Sequence, residues 1–188
     1  MNQSEPVRQA SVQGRDIFVF DGLVPDSYVA IMAAALDAGP FKKSESARRE
    51  TAEHKHWAAE FAVEDARKLP LFRAAQRAVE QSFGTSYEMF RSYCNLALYG
   101  DMLFTHCDCG PQEKVVTALW YLCAKWDVEW GGETLFFDDT GDARFVVTPR
   151  PGRLVLFDGA ITHVGRPPNR ICYEPRYTFA MKFVDRDG

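Results

Sequence analysis

The sequence predicts a single α+β domain, mainly β, in which helices come first and a sandwich or barrel of strands follows. Three observations predict it. From about residue 87 onward the runs "YEMFRSYCNLALYG", "VVTALWYLC", "ETLFF", "RFVVTP", "RLVLF", "ITHV" and "RYTFAMKFV" are short, apolar or alternating, and read as strands. The turn clusters "DDTGD", "PRPG" and "RPPN" separate them at short intervals, which fits a sandwich or barrel better than βαβ units. Ahead of them, the apolar spacing is that of helices.

Residues 1–15 are polar and are expected to form a tail, leaving 16–188 as one domain. "DIFVFDGLVP" reads as a short strand running into a turn. "DSYVAIMAAALDAGP" then reads as a helix, with Asp26 or Ser27 as its cap and Gly39-Pro40 as its stop. Residues 41–62 are charged and weakly periodic, so helix or loop is expected there. "LPLFRAAQRAVEQSFG" has helical apolar spacing from Leu71 to Val79 and ends at Gly84.

At 188 residues the chain can bury one core without covalent staples, and its 46% hydrophobic and 26% charged content is that of a globular domain rather than a disordered one. A formal charge of −4 supplies no global basic field, so nucleic acid and anionic membrane are not the expected partners. No apolar run approaches the ~20 residues a bilayer requires, and the start has no apolar signal core; a cytoplasmic protein is expected. The five cysteines are odd in number and irregularly spaced, which argues against a disulfide framework and for small core residues.

The densest chemistry lies in "FTHCDCG", residues 104–110. On an extended backbone His106 and Asp108 project to one side and Cys107 and Cys109 to the other, so the four cannot ligate one ion. Taken alone, His-x-Asp is more often structural, by roughly four to one. His163 changes the weighting. It sits in "GRLVLFDGAITHVG", where a packing histidine is one reading, while the flanking Asp158, Gly159 and Gly165 suggest an edge or a rim. Joined to His106 and Asp108 it completes a two-histidine, one-carboxylate triad, which leaves open positions on iron(II). In "EPRYTFAMKFV" the alternation sets Tyr177, Phe179, Met181 and Phe183 on one face and Arg176, Thr178, Ala180 and Lys182 on the other. If that second face is enclosed, Arg176 needs a counter-charge, and a ligand carboxylate supplies one through a bidentate contact. A surface salt bridge is the alternative.

Together "YGDMLFTHCD", "ALWYLCAKWDVEWGGETLFF", "PRPGRLVLFDGAITHVG" and "EPRYTFAMKF" resemble the 2-oxoglutarate and iron(II)-dependent dioxygenases, in the prolyl 4-hydroxylase-like branch, over about residues 90–184. The resemblance implies a double-stranded β-helix (jelly roll, cupin-like) with N-terminal helices packed on one sheet. It implies His106, Asp108 and His163 as iron(II) ligands and Arg176 as the clamp on the distal carboxylate of 2-oxoglutarate, with Tyr121, Tyr99 and Thr178 beside the cosubstrate. Two departures stand out: Gly100 follows Tyr99 directly, and Cys123 replaces the asparagine of the family's Tyr-Leu-Asn.

The implied reaction consumes O2 and 2-oxoglutarate, hydroxylates an unactivated C–H bond and releases succinate and CO2; ascorbate supports such activity. Asp108 separates the chain from the related halogenases. Substrate contacts are expected from the polar strand face of Arg91, Tyr93 and Asn95, and from Arg48, Arg49, His56 and Trp57 in a lid spanning residues 41–57, although solvated faces explain both sets equally well. His54-x-His56 lacks a third ligand. The expected prime substrate is a free small molecule, an amino acid or a biosynthetic intermediate. The alternatives are a prolyl-type peptidyl hydroxylase and a catalytically silent metal or 2-oxoglutarate sensor. Nucleic-acid demethylation is disfavoured by the acidity and by Lys182, which stands where a second arginine would follow Arg176.

Overall fold

The computed structural model describes residues 5–84 and 87–187. The chain opens with a hairpin of β1 (Arg8–Val12) and β2 (Arg15–Phe20), turned by Gln13 and Gly14 at φ 53° and 77°. Two successive positive-φ residues match the right-handed twist of the strands they join. The expected polar tail is therefore shorter, because residues 8–12 pair with β2 along their backbone. Of that strand only Val12 is buried, so edge pairing leaves no alternation to read.

Helix α1 (Asp26–Asp37) buries Val29, Ala33 and Leu36, one stripe at helical spacing. Pro25 occupies its N-cap position and no side chain caps it, so neither Asp26 nor Ser27 plays the expected role. Residues 41–62, expected as helix or loop, instead supply strands β3 (Lys42–Glu45) and β4 (His56–Phe61). A short helix α2 (Val63–Ala66) leads into α3 (Pro70–Phe83), which stops at Gly84 with φ 69°. All seven expected strands follow: β5 (Tyr87–Ala97), β6 (Val115–Tyr121), β7 (Thr134–Phe137), β8 (Ala143–Val147), β9 (Leu154–Asp158), β10 (His163–Gly165) and β11 (Arg176–Asp185).

The strands form two antiparallel sheets, one ordered β1-β2-β9-β6-β11-β5-β4-β3 and the other β10-β7-β8. On the outer face of the large sheet, Trp120, Phe179 and Phe183 pack against Val29 and Leu36 of α1 and Leu71 and Val79 of α3. Between the sheets a second cluster gathers Ile17, Val19, Tyr121, Val155 and Phe157 with Phe136 and Val147 of the small sheet. This is the double-stranded β-helix, with its helices on one sheet. The alternation in β11 holds: Tyr177, Phe179, Met181 and Phe183 join the helix-side core, which turns Arg176, Thr178, Ala180 and Lys182 towards the small sheet. The β11–β5 register slips between Lys182 and Phe183, passing from Arg91 to Met89 and leaving Phe90 as the extra residue of a bulge. No helix among the described residues is long and apolar enough to cross a membrane.

Candidate active site

The inner face of the large sheet builds the floor of the site. Register sets Thr117 beside Lys182, and Tyr121 and Asn95 on either side of Thr178. Above it, residues 101–110 form a loop rather than the expected strand. That loop is stitched to the β9–β10 connection. His106 exchanges both backbone hydrogen bonds with His163 (3.0 and 2.9 Å), and the Asp108 amide donates to the Gly159 carbonyl at 2.7 Å. Gly159 permits this approach, since a Cβ there would lie 3.3 Å from that of Asp108. The stitching brings one ligand atom each from His106, Asp108 and His163 within 4.8 Å of one another.

Both imidazoles are oriented from behind. The Nδ1 of His106 lies 3.1 Å from the Phe104 carbonyl, and that of His163 lies 2.9 Å from the Ile161 carbonyl. A carbonyl only accepts, so each Nδ1 carries the proton and each Nε2 presents a lone pair. The Nε2 atoms face Asp108, at 3.6 Å (His106) and 3.7 Å (His163) from its carboxylate oxygens. Burial pushes His163 down to about 4, further than Asp108 pulls it up, so near neutrality it is the uncharged ligand a cation needs. Burial alone would raise Asp108. The charge of Lys182, followed by that of His163 and His106, overrides burial and holds the carboxyl well below the usual carboxylate range. Two imidazoles turned by their Nε2 edges towards one ionised carboxylate, on one side of a cavity, fit a divalent iron.

That cavity runs from the triad to Arg176 and is lined by Thr134, Gly165, Thr178 and Ala180 along the way. Arg176 is 3% exposed. Its Nε donates to the Gly132 carbonyl at 2.6 Å and its Nη2 to Thr134 Oγ1 at 3.1 Å, while Thr178 Oγ1 lies 3.5 Å from Nη1. Among the described residues no carboxylate pairs with it, so a buried guanidinium faces the cavity without a counter-anion. A dicarboxylate reaching from the triad meets that need. Two glycines make room for the guanidinium. A Cβ on Gly165 would lie 3.1 Å from Nη2, and one on Gly132 would lie 2.8 Å from the Trp126 ring and 3.2 Å from Arg176 Cδ. Gly132 also sits at φ 78°. Gly132→Ala should therefore cost about 1–3 kcal/mol of stability and weaken dicarboxylate binding through Arg176. Urea titration together with calorimetric 2-oxoglutarate binding checks both.

The other expected contacts divide. Thr178 is 2% exposed and lies beside Arg176. Tyr121 is buried behind the cavity wall, its hydroxyl 2.6 Å from Thr134 Oγ1 and its ring 5.2 Å from the Arg176 guanidinium, so it braces that side chain from the rear. Tyr99 is 63% exposed and does not line the cavity; it stands beyond the end of β5, in a turn with Gly100 at φ 90°.

Of the substrate candidates, His56, Tyr93 and Asn95 line the cavity, and Arg91 lines an adjoining recess while paired with Glu45 at 3.1 Å and with Glu60. The Asn95 Oδ1 is buried without a hydrogen-bond partner. Arg48 is held at the rim, donating to Thr105 Oγ1 at 3.0 Å. Arg49 is exposed on the short turn Arg49–Thr51, and Trp57 lies on the opposite face of β4 from His56, under Lys43; neither reaches the cavity. Cys94, Cys123 and Cys172 are buried as expected, but Cys107 is exposed, its Sγ 3.4 Å from Thr162 Oγ1. With residues 104–110 in a loop, the far side of that segment is surface and not core.

The sequence reading missed Thr117 and Lys182 as parts of the site. Lys182 Nζ pairs with Asp108 Oδ2 and donates to Thr117 Oγ1 at 2.9 Å, and Thr117 in turn donates to Asp108 Oδ2 at 2.5 Å. The inward side of the β11 alternation marked Lys182; nothing in the sequence marked its partner.

The depressed His163 has a consequence for acid stability. Unfolded, it binds a proton near 6.5; folded, only near 4, so between those values the unfolded chain holds more protons and stability falls as pH falls. At 1.36 kcal/mol per unit this amounts to about 3 kcal/mol by the bottom of the window. Urea unfolding of the metal-free protein at about pH 7 and about pH 5 tests it, and equal midpoints would refute it.

A family model described as the 2OG-Fe(II) oxygenase superfamily matches residues 94–183, a span that holds the triad, Arg176 and Lys182. No curated protein matches the chain in sequence. Among solved structures, a Pseudomonas putida prolyl-4-hydroxylase is similar at 22% identity and a TM-score of 0.67, over 90% of this chain and 92% of that one. The α-ketoglutarate-dependent epimerase SnoN from nogalamycin biosynthesis is similar at 17% identity and a TM-score of 0.69, over 90% of this chain and 77% of that one. HygX from Streptomyces hygroscopicus, solved with nickel and 2-oxoglutarate bound, is similar at 14% identity and a TM-score of 0.68, over 90% of this chain and 83% of that one. These likenesses establish the fold. Residues 94–183, which hold the whole of this site, match the 2OG-Fe(II) oxygenase superfamily, oxygenases whose cofactors are iron(II) and 2-oxoglutarate.

Proposed function

We propose that the protein hydroxylates an unactivated C–H bond of a free small molecule, holding iron(II) on His106, Asp108 and His163 and anchoring 2-oxoglutarate on Arg176. Iron(II) with 2-oxoglutarate and O2 supplies the oxidising power, with release of succinate and CO2. The protein's own residues do the rest. The Phe104 and Ile161 carbonyls keep the two Nε2 atoms aimed inwards. Arg176 and Thr178 fix the far carboxylate of the cosubstrate, and Phe157 and Leu119 line the cavity with apolar surface that limits water. Asn95 Oδ1 accepts a hydrogen bond from the prime substrate, because 2-oxoglutarate near neutrality carries no donor.

The observation that carries the small-molecule reading is the narrowed rim. Arg48 reaches across to Thr105, His54 packs on Phe104 with ring centroids 5.3 Å apart, and Ala47 and Phe104 line the cavity, so the segment before β4 borders its mouth. A bordered mouth admits a metabolite more readily than a folded protein's loop. Likeness to the prolyl-4-hydroxylase favours a peptidyl substrate as the second reading.

Purified protein with iron(II), ascorbate and 2-oxoglutarate, screened against metabolite and proline-peptide libraries for stimulated succinate release, tests the proposal. Stimulation by metabolites supports it, and stimulation by peptides alone selects the second reading. Absence of both succinate and iron-dependent 2-oxoglutarate binding would leave a silent fold.

A further inference from the structure

We propose that Lys182 is a positioning residue for the metal-binding carboxylate, acting with Thr117 to hold Asp108 against the two imidazoles; the inference rests on the iron reading above. Strand β11 carries two buried cations on one face, and their surroundings differ. The Arg176 guanidinium meets a carbonyl and hydroxyls and needs an anion from outside. The Lys182 ammonium has its anion already, in Asp108 Oδ2, and it also lies 5.8 Å from the Tyr93 ring centroid.

The three side chains close a ring in which every donor is used in one sense. Lys182 donates to Asp108 and to Thr117 (2.9 Å), and the Thr117 hydroxyl, having accepted, donates to Asp108 Oδ2 (2.5 Å). Asp108 itself stands on a loop, where its side chain would rotate if nothing held it. Thr117 and Lys182 stand opposite each other on two central strands of the large sheet. Their contacts pass the stiffness of the sheet to a carboxylate the loop alone cannot fix. The bulge one residue past Lys182 is a second constraint on where that side chain lies.

An ammonium beside a divalent ion also repels it, so the sign of the effect decides between a clamp and a bystander. Titration with cobalt(II), followed by calorimetry and by the cobalt visible spectrum, reads that sign without turnover. Lys182→Met should weaken cobalt binding about 10- to 100-fold and alter the spectrum. Lys182→Arg, which keeps charge and donors, should return both towards wild type, and Thr117→Val should weaken binding several-fold with little change in melting temperature. Equal or tighter binding by Lys182→Met with an unchanged spectrum overturns the proposal. Should that variant fail to fold, unchanged binding by Thr117→Val overturns it instead. Failure of the wild-type protein to bind cobalt, or undiminished binding by His163→Ala, refutes the iron site itself and is thereby distinguishable.

Discussion

Replacing Asp108 by alanine should abolish divalent metal binding and lower the melting temperature of the metal-free protein by on the order of 10 °C. The first effect follows from loss of the one anionic ligand. The second arises because the substitution strands the ammonium of Lys182, a residue only 6% exposed whose charge burial opposes and Asp108 sustains. Removing one partner of such a pair costs about 3–5 kcal/mol, mostly the penalty of an uncompensated buried charge. The double variant Asp108→Ala/Lys182→Met should therefore melt higher than Asp108→Ala alone while still binding no metal. Thermal unfolding of the four proteins of that cycle, each with and without cobalt(II), gives the comparison. A single variant as stable as the wild type would show that the pair contributes nothing to the fold.

Arg176→Met should behave in the opposite way, lowering 2-oxoglutarate affinity about 100-fold while shifting the melting temperature by only a few degrees. No carboxylate of the described chain loses its partner in this variant, since the guanidinium is held by the Gly132 carbonyl and the Thr134 hydroxyl. Metal affinity in the absence of 2-oxoglutarate should be unchanged, because Arg176 contacts no member of the triad. Calorimetry of cobalt and then of 2-oxoglutarate separates the two events. An unaltered 2-oxoglutarate affinity would remove Arg176 as the anchor.

Most strands from residue 87 onward were legible because they bury one or both faces, and burial writes itself into the sequence as alternation or as an apolar run; β8, which buries only Val147, was legible instead from the apolar run "FVV" between two turn clusters. Strand β11 is the clearest case. Its apolar residues define the helix-side core, and by elimination its polar residues define the site. What escaped were elements held by backbone pairing alone. Strand β1 buries only Val12, and β3, "KKSE", buries nothing, so neither leaves a periodic trace. The triad was legible as residue types in the right order. Its geometry was not, because it depends on a loop whose amides find partners across the β9–β10 turn. Tyr99, set beside the cosubstrate by resemblance, lies past the end of β5 at Ala97 in the turn that includes Gly100, where strand alternation no longer orients a side chain. Thr117 was invisible because a buried threonine between apolar neighbours reads as ordinary strand.

The reciprocal backbone bonds between His106 and His163, with the Asp108 amide on Gly159, make ligand geometry and loop attachment one equilibrium. Residues 104–108 cannot peel from the β9–β10 turn without drawing all three ligands apart, and an ion that holds the ligands together holds the loop down. The same loop carries Phe104, a cavity-lining ring on which His54 packs. The backbone bonds that gather the three side chains thus also anchor the segment on which His54 packs, through main chain rather than through any separate domain.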